Sequence, residues 1–160
     1  MSVGKRLLIL DPDFTPASPS MKAVLKSFPE IRAAGFEIEG WFWQCHPEVR
    51  LDHEVRLPVM GARALRPLQA LVYSVQASLL LWWRYSVRGL PRPDVIYSIV
   101  PYVAGCDVAH SQFSPWDWGA RMRRMGSRSV KEWLERLANA VIRVWTEFFL
   151  VRTGAKTLIV

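Results

Sequence analysis

Apolar runs and helically spaced apolar stripes alternate along this chain. Leu7–Leu10 is an unbroken apolar run that ends at Asp11, as expected of an interior strand in a parallel sheet. Beyond a loop rich in Pro and Ser, the pattern predicts a helix that Ser20 caps, Pro29 kinks or splits, and Gly35 ends. The apolar face of this helix consists of Met21, Val24, Leu25, Phe28 and Ile31.

The rest of the chain continues this alternation. Further strands are predicted over Phe36–Trp43, Val55–Val59, Asp94–Val100, Cys106–Ser111 and Lys156–Val160, and helices over Pro67–Arg88 and from Ser129 to Gly154. In the second strand, Glu37 and Glu39 alternate with Phe36 and Ile38. This order is typical of a mostly parallel sheet with helices on both faces. The 160 residues are therefore predicted to form a single α/β, Rossmann-like domain over residues 1–160, with Leu7–Leu10 and Val95–Ile99 as interior strands.

The helix over Pro67–Arg88 is unusually apolar. No charged residue stands between Pro67 and Trp83, but the uncharged stretch falls short of the roughly 18–20 residues that a membrane span needs. Gln and Ser residues within it weaken a membrane-spanning interpretation further. We expect a buried or surface-lying helix instead.

The charge and the cysteine content of the chain indicate which partners and which compartment to expect. A net charge of +7 with eight tryptophans favours anionic partners such as phospholipid headgroups or the diphosphates of sugar nucleotides. No nucleic-acid-binding module accompanies the charge, so nucleic acid is not expected as a partner. The basic cluster Arg121–Arg124 is either a solvated surface or a phospholipid contact. With Cys45 and Cys106 as the only cysteines, a reducing cytoplasm is expected.

Several enzyme signatures are missing from the sequence. There is no G-x-G-x-x-G after the first strand, no P-loop, no H-E-x-x-H and no G-x-S-x-G. Cys45, His46 and His53 group residues that can bind metals, but tetrahedral zinc needs a fourth ligand and a tighter spacing. Neither a metal nor a cofactor is predicted.

The candidate site residues follow predicted strands. Ser18 and Ser20, with free amides at a helix start, can hold a phosphate, or they can simply cap the helix. His110 ends a strand beside Gln112 and ahead of Trp116, a grouping that suits a sugar site because amides bind hydroxyls and aromatic faces stack on sugar rings. A histidine there can donate to the developing charge of a leaving phosphate; the alternative is a structural loop histidine.

The pattern resembles the family-four retaining glycosyltransferases of the GT-B fold. The segments that carry the resemblance are the first strand Lys5–Leu10 with its Pro/Ser loop, Gly35–Ile38, Pro93–Ser98, Cys106–Phe113, the helix up to Arg152 and the strand Ala155–Val160. They span nearly the whole chain. Two departures stand out: Ala17 and Ser18 replace the family's glycine pair, and Tyr97 stands where the family has a first histidine.

The resemblance implies transfer of a sugar from a nucleotide-sugar donor to an acceptor, without a required metal. It makes this chain the N-terminal, acceptor-side lobe of a longer two-lobed protein, with His110 as the catalytic candidate. Acceptors in the family include lipid-linked sugars and polysaccharides at the cytoplasmic face of the membrane, so we expect a cytoplasmic, peripherally attached protein. The lone piece is expected to be inactive and to associate with itself through its last, apolar strand.

A non-catalytic module remains the alternative. Asp11 and Asp13 supply part of the acidic pocket of a response regulator, but neither a carboxylate ending the third strand nor a lysine ending the fifth accompanies them. A flavodoxin-like domain needs a phosphate loop after the first strand, against which three prolines argue. A full-length protein of twice this size or more would decide between these classes.

Overall fold

The computed structural model of this chain describes residues 4–59, 66–99, 103–110 and 157–159. The strands are β1 (Lys5–Leu10), β2 (Asp13–Phe14), β3 (Phe36–Phe42), β4 (Gln44–Cys45), β5 (His53–Arg56), β6 (Val95–Ser98), β7 (Val108–His110) and β8 (Thr157–Ile159). The helices are α1 (Pro19–Lys26), α2 (Phe28–Ala33) and α3 (Arg66–Leu81), which continues into a π-helix at Trp82–Val87.

Within the described residues, six strands form one parallel sheet in the order β5-β3-β1-β6-β7-β8. When the six strands of this sheet alone are numbered in sequence order, the spatial order is 3-2-1-4-5-6, which is that of the Rossmann fold. The predicted α/β, Rossmann-like fold is therefore confirmed, and β1 and β6 are interior strands as expected. The flavodoxin-like and response-regulator-like alternative requires the order 2-1-3-4-5, which this sheet does not have.

Helices cover both faces of the sheet. On one face, α3 buries Tyr73, Ala77 and Leu81 against Leu8 and Trp41 of the sheet. On the other, residues of α1 and α2 pack on the sheet together with the second set of buried side chains: Ile9, Phe14, Met21, Phe28, Ile38, Phe42, Val49 and Ile99. Consecutive residues of β1 thus enter opposite cores, which accounts for the unbroken apolar run of this strand.

The first helical region is split, and it begins earlier than predicted. Ser27 separates α1 from α2, and Pro29 lies in the first turn of α2. Backbone N–H groups in the first turn have no acceptor within the helix, so a proline there costs no hydrogen bond. The N-cap of α1 is Ser18, because Pro19 occupies the first turn; Ser20 is therefore inside the helix, and its prediction as the cap was wrong. Gly35 ends α2 with a φ of 83°, as predicted.

Two other predicted strands differ clearly in extent. The edge strand β5 is His53–Arg56 rather than Val55–Val59, and β7 is Val108–His110 rather than Cys106–Ser111. The turn before β7 contains Gly105 with a φ of 85°. The helix predicted from Ser129 lies outside the described residues.

The end of the long apolar helix is anchored to the sheet by a charged side chain. Arg84 Nη1 lies 3.2 Å from Glu39 Oε1, and the guanidinium lies over the ring of Trp41, 5.3 Å from its centre. Trp41 Nε1 donates to the same carboxylate at 2.7 Å. Glu39 is therefore a buried, fully engaged residue, although its alternation with apolar residues suggested a polar position.

Aspartates hold neighbouring strands together at the amino edge of the sheet. Asp107, just before β7, donates its N–H to the Ile96 carbonyl at 2.8 Å and accepts the Ile96 N–H on its carboxylate at 2.9 Å. Asp52, just before β5, makes the same two bonds with Ile38, both at 2.9 Å. The hydrogen bond from Ile38 holds the pKa of Asp52 below its usual range. These paired bonds fix the register of β7 on β6 and of β5 on β3.

Candidate functional site at the carboxyl edge of the sheet

The carboxyl ends of the parallel strands lie at one edge of the sheet. The chain first adds strands on one side of β1 and then crosses to the other side, so the strand order reverses between β1 and β6. Strands β3 and β5 follow β1 on one side, whereas β6, β7 and β8 lie on the other. In open α/β sheets, ligands bind in the crevice at this switch point. The candidate site is therefore built from the residues that end β1, β3, β6 and β7.

Tyr97 and His110 form a hydrogen-bonded pair at this edge. Tyr97 is opposite Val108 in the register of β6 and β7, so His110, two residues further on, points to the same face of the sheet. The Tyr97 hydroxyl lies 2.7 Å from Nδ1 of His110, and the two rings meet edge to face. Both side chains are half-buried. His110 ends β7 at the carboxyl edge, on the same edge as the loop that follows β1, as predicted.

This pairing has a consequence for the proton on His110. Burial raises the pKa of Tyr97, so its phenol is protonated at neutral pH and can donate to Nδ1. A neutral imidazole that accepts at Nδ1 carries its own proton on Nε2. Nε2 is then a hydrogen-bond donor for an anionic group.

The two predicted phosphate-binding serines lie together at the start of α1. The hydroxyl oxygens of Ser18 and Ser20 are 3.1 Å apart, and Ser20 is buried. Because α1 covers the sheet face that carries Tyr97 and His110, its first turn lies on the same edge and the same face as that pair. Gln112, Trp116 and the Arg121–Arg124 cluster lie outside the described residues.

A cleft that the sequence did not reveal lies at the same edge. Its walls come from β2 and β4, a short parallel pair in which Asp13 is opposite Gln44. The cleft has a volume of about 350 Å³, within the ~300–1,000 Å³ typical of small-molecule sites. It is lined by Asp13, Phe14, Thr15, Gln44, Cys45, His46 and Pro47. Residues with carboxylate, amide, hydroxyl and imidazole side chains thus line one open cleft.

A buried carboxyl group is hydrogen-bonded to a residue that lines this cleft. Asp11 follows β1 directly, is 7% exposed, and accepts the Asp13 N–H on Oδ1 at 2.7 Å. Burial raises the pKa of Asp11 to about 7; the hydrogen bond from the Asp13 N–H opposes this shift, and the Asp13 carboxylate adds to it. Asp11 therefore changes its charge near neutral pH, at the switch point of the sheet.

The residues considered as metal ligands do not form a common group. Cys45 and His46 line the cleft, whereas His53 Nε2 lies 3.4 Å from Glu37 Oε2. Within the part of the chain that the structure describes, no three His, Cys, Asp or Glu side chains are gathered as a metal site. The same part contains no helix long and apolar enough to cross a membrane.

The α/β fold of this chain is similar to that of a solved glycosyltransferase. The crystal structure of WaaG, a glycosyltransferase involved in lipopolysaccharide biosynthesis, is similar to 95% of this chain with a TM-score of 0.60 and 13% sequence identity. This chain covers 37% of the length of that protein. No family model matches the sequence, and no curated protein matches it. At this identity the likeness concerns the fold.

Proposed function

We propose that this chain is the N-terminal, acceptor-side lobe of a glycosyltransferase. The observation that carries the proposal is the likeness of nearly the whole chain to little more than a third of a glycosyltransferase. One lobe of a two-lobed enzyme would account for that share. A second lobe would hold most of the nucleotide-sugar donor, and the reaction would take place in the cleft between the lobes.

The cleft between β2 and β4 is the proposed acceptor subsite. Sugars present many hydroxyl groups, each of which donates and accepts hydrogen bonds. Gln44, Thr15, Asp13 and His46 offer donors and acceptors of several kinds within one small space. The volume of about 350 Å³ suits a single sugar ring with part of its neighbour.

His110 is the proposed catalytic residue, with Tyr97 as its positioning residue. During transfer, the bond between the anomeric carbon and the phosphate oxygen breaks, the acceptor oxygen bonds to that carbon, and its proton leaves with the nucleotide phosphate. Negative charge grows on the phosphate as the bond breaks. The Nε2–H of His110 would donate to that charge, an interaction that strengthens in the transition state. The proposed substrate-binding residues are Ser18, Ser20, Gln112 and Trp116.

The proposed acceptor is a lipid-linked sugar or a polysaccharide at the cytoplasmic face of a membrane. Two observations support this proposal. The chain carries a net charge of +7, which attracts it to anionic lipid. The structurally similar WaaG is involved in lipopolysaccharide biosynthesis, whose products are lipid-borne glycans.

The test of the proposed function begins with binding. Saturation-transfer NMR on the 160-residue chain would use methyl glycosides, a lipopolysaccharide core oligosaccharide and UDP-glucose as probes. We expect weak binding of the glycan probes, reduced about tenfold by Gln44→Ala, because one or two hydrogen bonds of ~0.5–1.5 kcal/mol each are lost. Lys26→Ala, on the exposed side of α1, is the control. Equal glycan binding by the Gln44→Ala variant would remove the cleft as the acceptor subsite.

The second part of the test is transfer. The lone chain should transfer no sugar from UDP-glucose, since positioning the donor against the acceptor contributes roughly 7–11 kcal/mol and needs both lobes. Robust transfer by the 160 residues alone would overturn the assignment as an acceptor lobe. Light scattering on the same sample tests the predicted self-association.

A further inference from the structure

The cleft between β2 and β4 differs in charge from the chain as a whole. The sequence contains 21 Lys and Arg residues against 14 Asp and Glu residues, which gives a net charge of +7. Among the described residues that line the cleft, however, there is no lysine or arginine, and the formal charge comes from the carboxylate of Asp13. The protein as a whole therefore attracts anions, whereas the lining of this cleft offers an anion no basic partner.

Asp13 is the charged member of a pair of carboxyl groups. Its N–H donates to Asp11 Oδ1 at 2.7 Å, so the two residues are held close together. Burial raises the pKa of both groups, that of Asp11 to about 7. Asp13 is far more exposed and ionises first, and its charge helps Asp11 to keep its proton. In slightly acid solution the charge of the pair therefore lies on Asp13, at the wall of the cleft.

The neighbouring polar groups do not offset this charge. The Glu48 carboxylate lies 3.9 Å from His46 Nδ1, so a proton gained by that imidazole is already matched by an acidic neighbour. Burial raises the pKa of the Cys45 thiol, which keeps the thiol neutral, and the opposite charges of Glu54 and Arg56 act on it in opposing directions. Within the residues that the structure describes around the cleft, the Asp13 carboxylate thus has no counter-ion.

Gln44 lies beside this carboxylate. Asp13 and Gln44 are opposite each other in the parallel pairing of β2 with β4, so their side chains leave the same face next to each other. Both side chains are exposed to solvent in the cleft. A carboxylate accepts hydrogen bonds, whereas an amide both donates and accepts them. Together the two groups suit a ligand that presents a cationic donor next to a hydroxyl group.

We propose that this cleft selects an amino sugar, whose ammonium group binds the Asp13 carboxylate while a neighbouring hydroxyl binds the Gln44 amide. A phosphorylated or carboxylated sugar is disfavoured, because its charge meets that of Asp13 with no basic group in the lining to offset it. Neutral sugars rank between these two classes. The inference rests on the proposed function, since it takes the cleft to be the acceptor subsite, and it makes Asp13 the residue that determines specificity there.

NMR titration of the 160-residue chain tests this selectivity with three probes that share one sugar ring: methyl glucosaminide, methyl glucoside and methyl glucuronide. At about pH 6.5 the amine of the first probe is protonated, as is an α-amino group with a pKa of about 7.7–8.0. We expect the glucosaminide to bind about threefold to fivefold more tightly than the glucoside, on the scale of one exposed ion pair. The glucuronide should bind more weakly than the glucoside by a similar factor. Both differences should shrink at high salt, because salt screens exposed charges.

Asp13→Asn isolates the charge, because the variant keeps the N–H that Asp11 accepts. It should bring the affinities for the three probes to within about twofold of one another, since the ion pair with the ammonium and the repulsion of the carboxylate are both lost. Glu30→Gln is the matched control: it removes the same charge from an exposed position on α2, outside the lining of the cleft, and should keep the wild-type order. Thermal unfolding at the same pH checks that both variants fold.

The expected result is the order glucosaminide, glucoside, glucuronide in the wild type and in Glu30→Gln, and the loss of that order in Asp13→Asn. Equal binding of the three probes by the wild type would overturn the inference and leave the cleft as an acceptor subsite. An order that persists in Asp13→Asn would also overturn it, because the selectivity would then arise elsewhere. Binding of none of the three probes would overturn the acceptor subsite of the proposed function together with this inference, so the two failures are distinguishable.

Discussion

The hydroxyl of Tyr97 and Nδ1 of His110 are 2.7 Å apart, so the ends of β6 and β7 share one hydrogen bond between side chains. Tyr97 stands at the position where a glycosyltransferase resemblance suggested a histidine, and no catalytic duty was expected of it. The structure gives this tyrosine a specific contact with the neighbouring strand's histidine. Substitution of either residue is therefore expected to break the same hydrogen bond.

In the proposed two-lobed glycosyltransferase, His110→Ala should lower kcat about 10²-fold, and Tyr97→Phe should lower it about tenfold with KM for the acceptor nearly unchanged. His110→Ala removes the proposed donor to the leaving phosphate, whereas Tyr97→Phe removes only the hydroxyl that would orient it. Nitrogen-detected NMR of the lone chain should show the Nε2–H tautomer of His110 in the wild type and a mixture in Tyr97→Phe. Tyr85→Phe, on the α3 face, is the control. An unchanged tautomer in Tyr97→Phe would contradict the positioning role.

Asp11 should make the protein less stable as the pH rises. Its pKa is about 7 in the folded protein against 3.8 for an unperturbed carboxyl group, so between these values the unfolded chain has already lost the proton that the folded chain keeps. The contribution of Asp11 to the free energy of unfolding is thus greatest below about pH 4. It falls as the pH rises to about 7, by on the order of 4 kcal/mol at most.

Asp11→Asn tests this pH dependence, because its amide oxygen can still accept the Asp13 N–H. The variant should melt higher than the wild type at about pH 8 and nearly equal to it at about pH 4, as measured by thermal unfolding across the pH range. A constant difference in melting temperature at every pH would show that the Asp11 carboxyl does not titrate in this way.

Asp107→Ala should destabilise the fold by about 1–3 kcal/mol, because the Ile96 N–H and the Arg92 guanidinium lose their carboxylate partner. Asp94→Ala is the matched control at the same edge: it removes an acceptor for the Arg6 N–H at an exposed position, where water can replace it. Urea unfolding of both variants gives the two free energies. A smaller loss for Asp107→Ala than for Asp94→Ala would count against register fixing by Asp107.

Arg84→Met should also destabilise the protein, by about 1–3 kcal/mol, since it leaves the buried Glu39 carboxylate with Trp41 Nε1 as its remaining donor. Adding Glu39→Gln to that variant should restore part of the loss, because a neutral amide can accept the same indole N–H without a buried charge. Chemical unfolding of the two single variants and the double variant gives the free energies of unfolding for a double-mutant cycle. Additive losses would show that Arg84 and Glu39 do not interact energetically.

The fold was largely predictable because its signals are local. An apolar run such as Leu7–Leu10 specifies a strand covered on both faces, and the alternation of such runs with helical stripes specifies the α/β class. The strand order 3-2-1-4-5-6 was not predictable, since it depends on which long-range pairs form. The burial of Glu39 was not predictable for a related reason: its partner Arg84 is 45 residues away, and the local pattern gives no sign of that ion pair.

The candidate site was only partly accessible from the sequence. His110 was found because it ends a strand, a local property. The contribution of Tyr97 depends on the register between β6 and β7, and the cleft between β2 and β4 depends on two short strands of two residues each. Such strands leave no periodic pattern. Cys45 and His46 attracted attention only as metal ligands, whereas their actual setting is a polar cleft beside Asp13.

The central position of β1 has a consequence for how the chain folds as it is made. Of the described strands β1 is synthesised before the others, yet in one of its two neighbours, β6, the partner of Leu7 is Val95, 88 residues further along the chain. Until that segment leaves the ribosome, one edge of the most apolar strand has no partner. Closing so long a loop delays this pairing, and exposed strand edges invite association with other chains. The nascent protein should therefore be most prone to association with other chains in the period before β6 docks on β1.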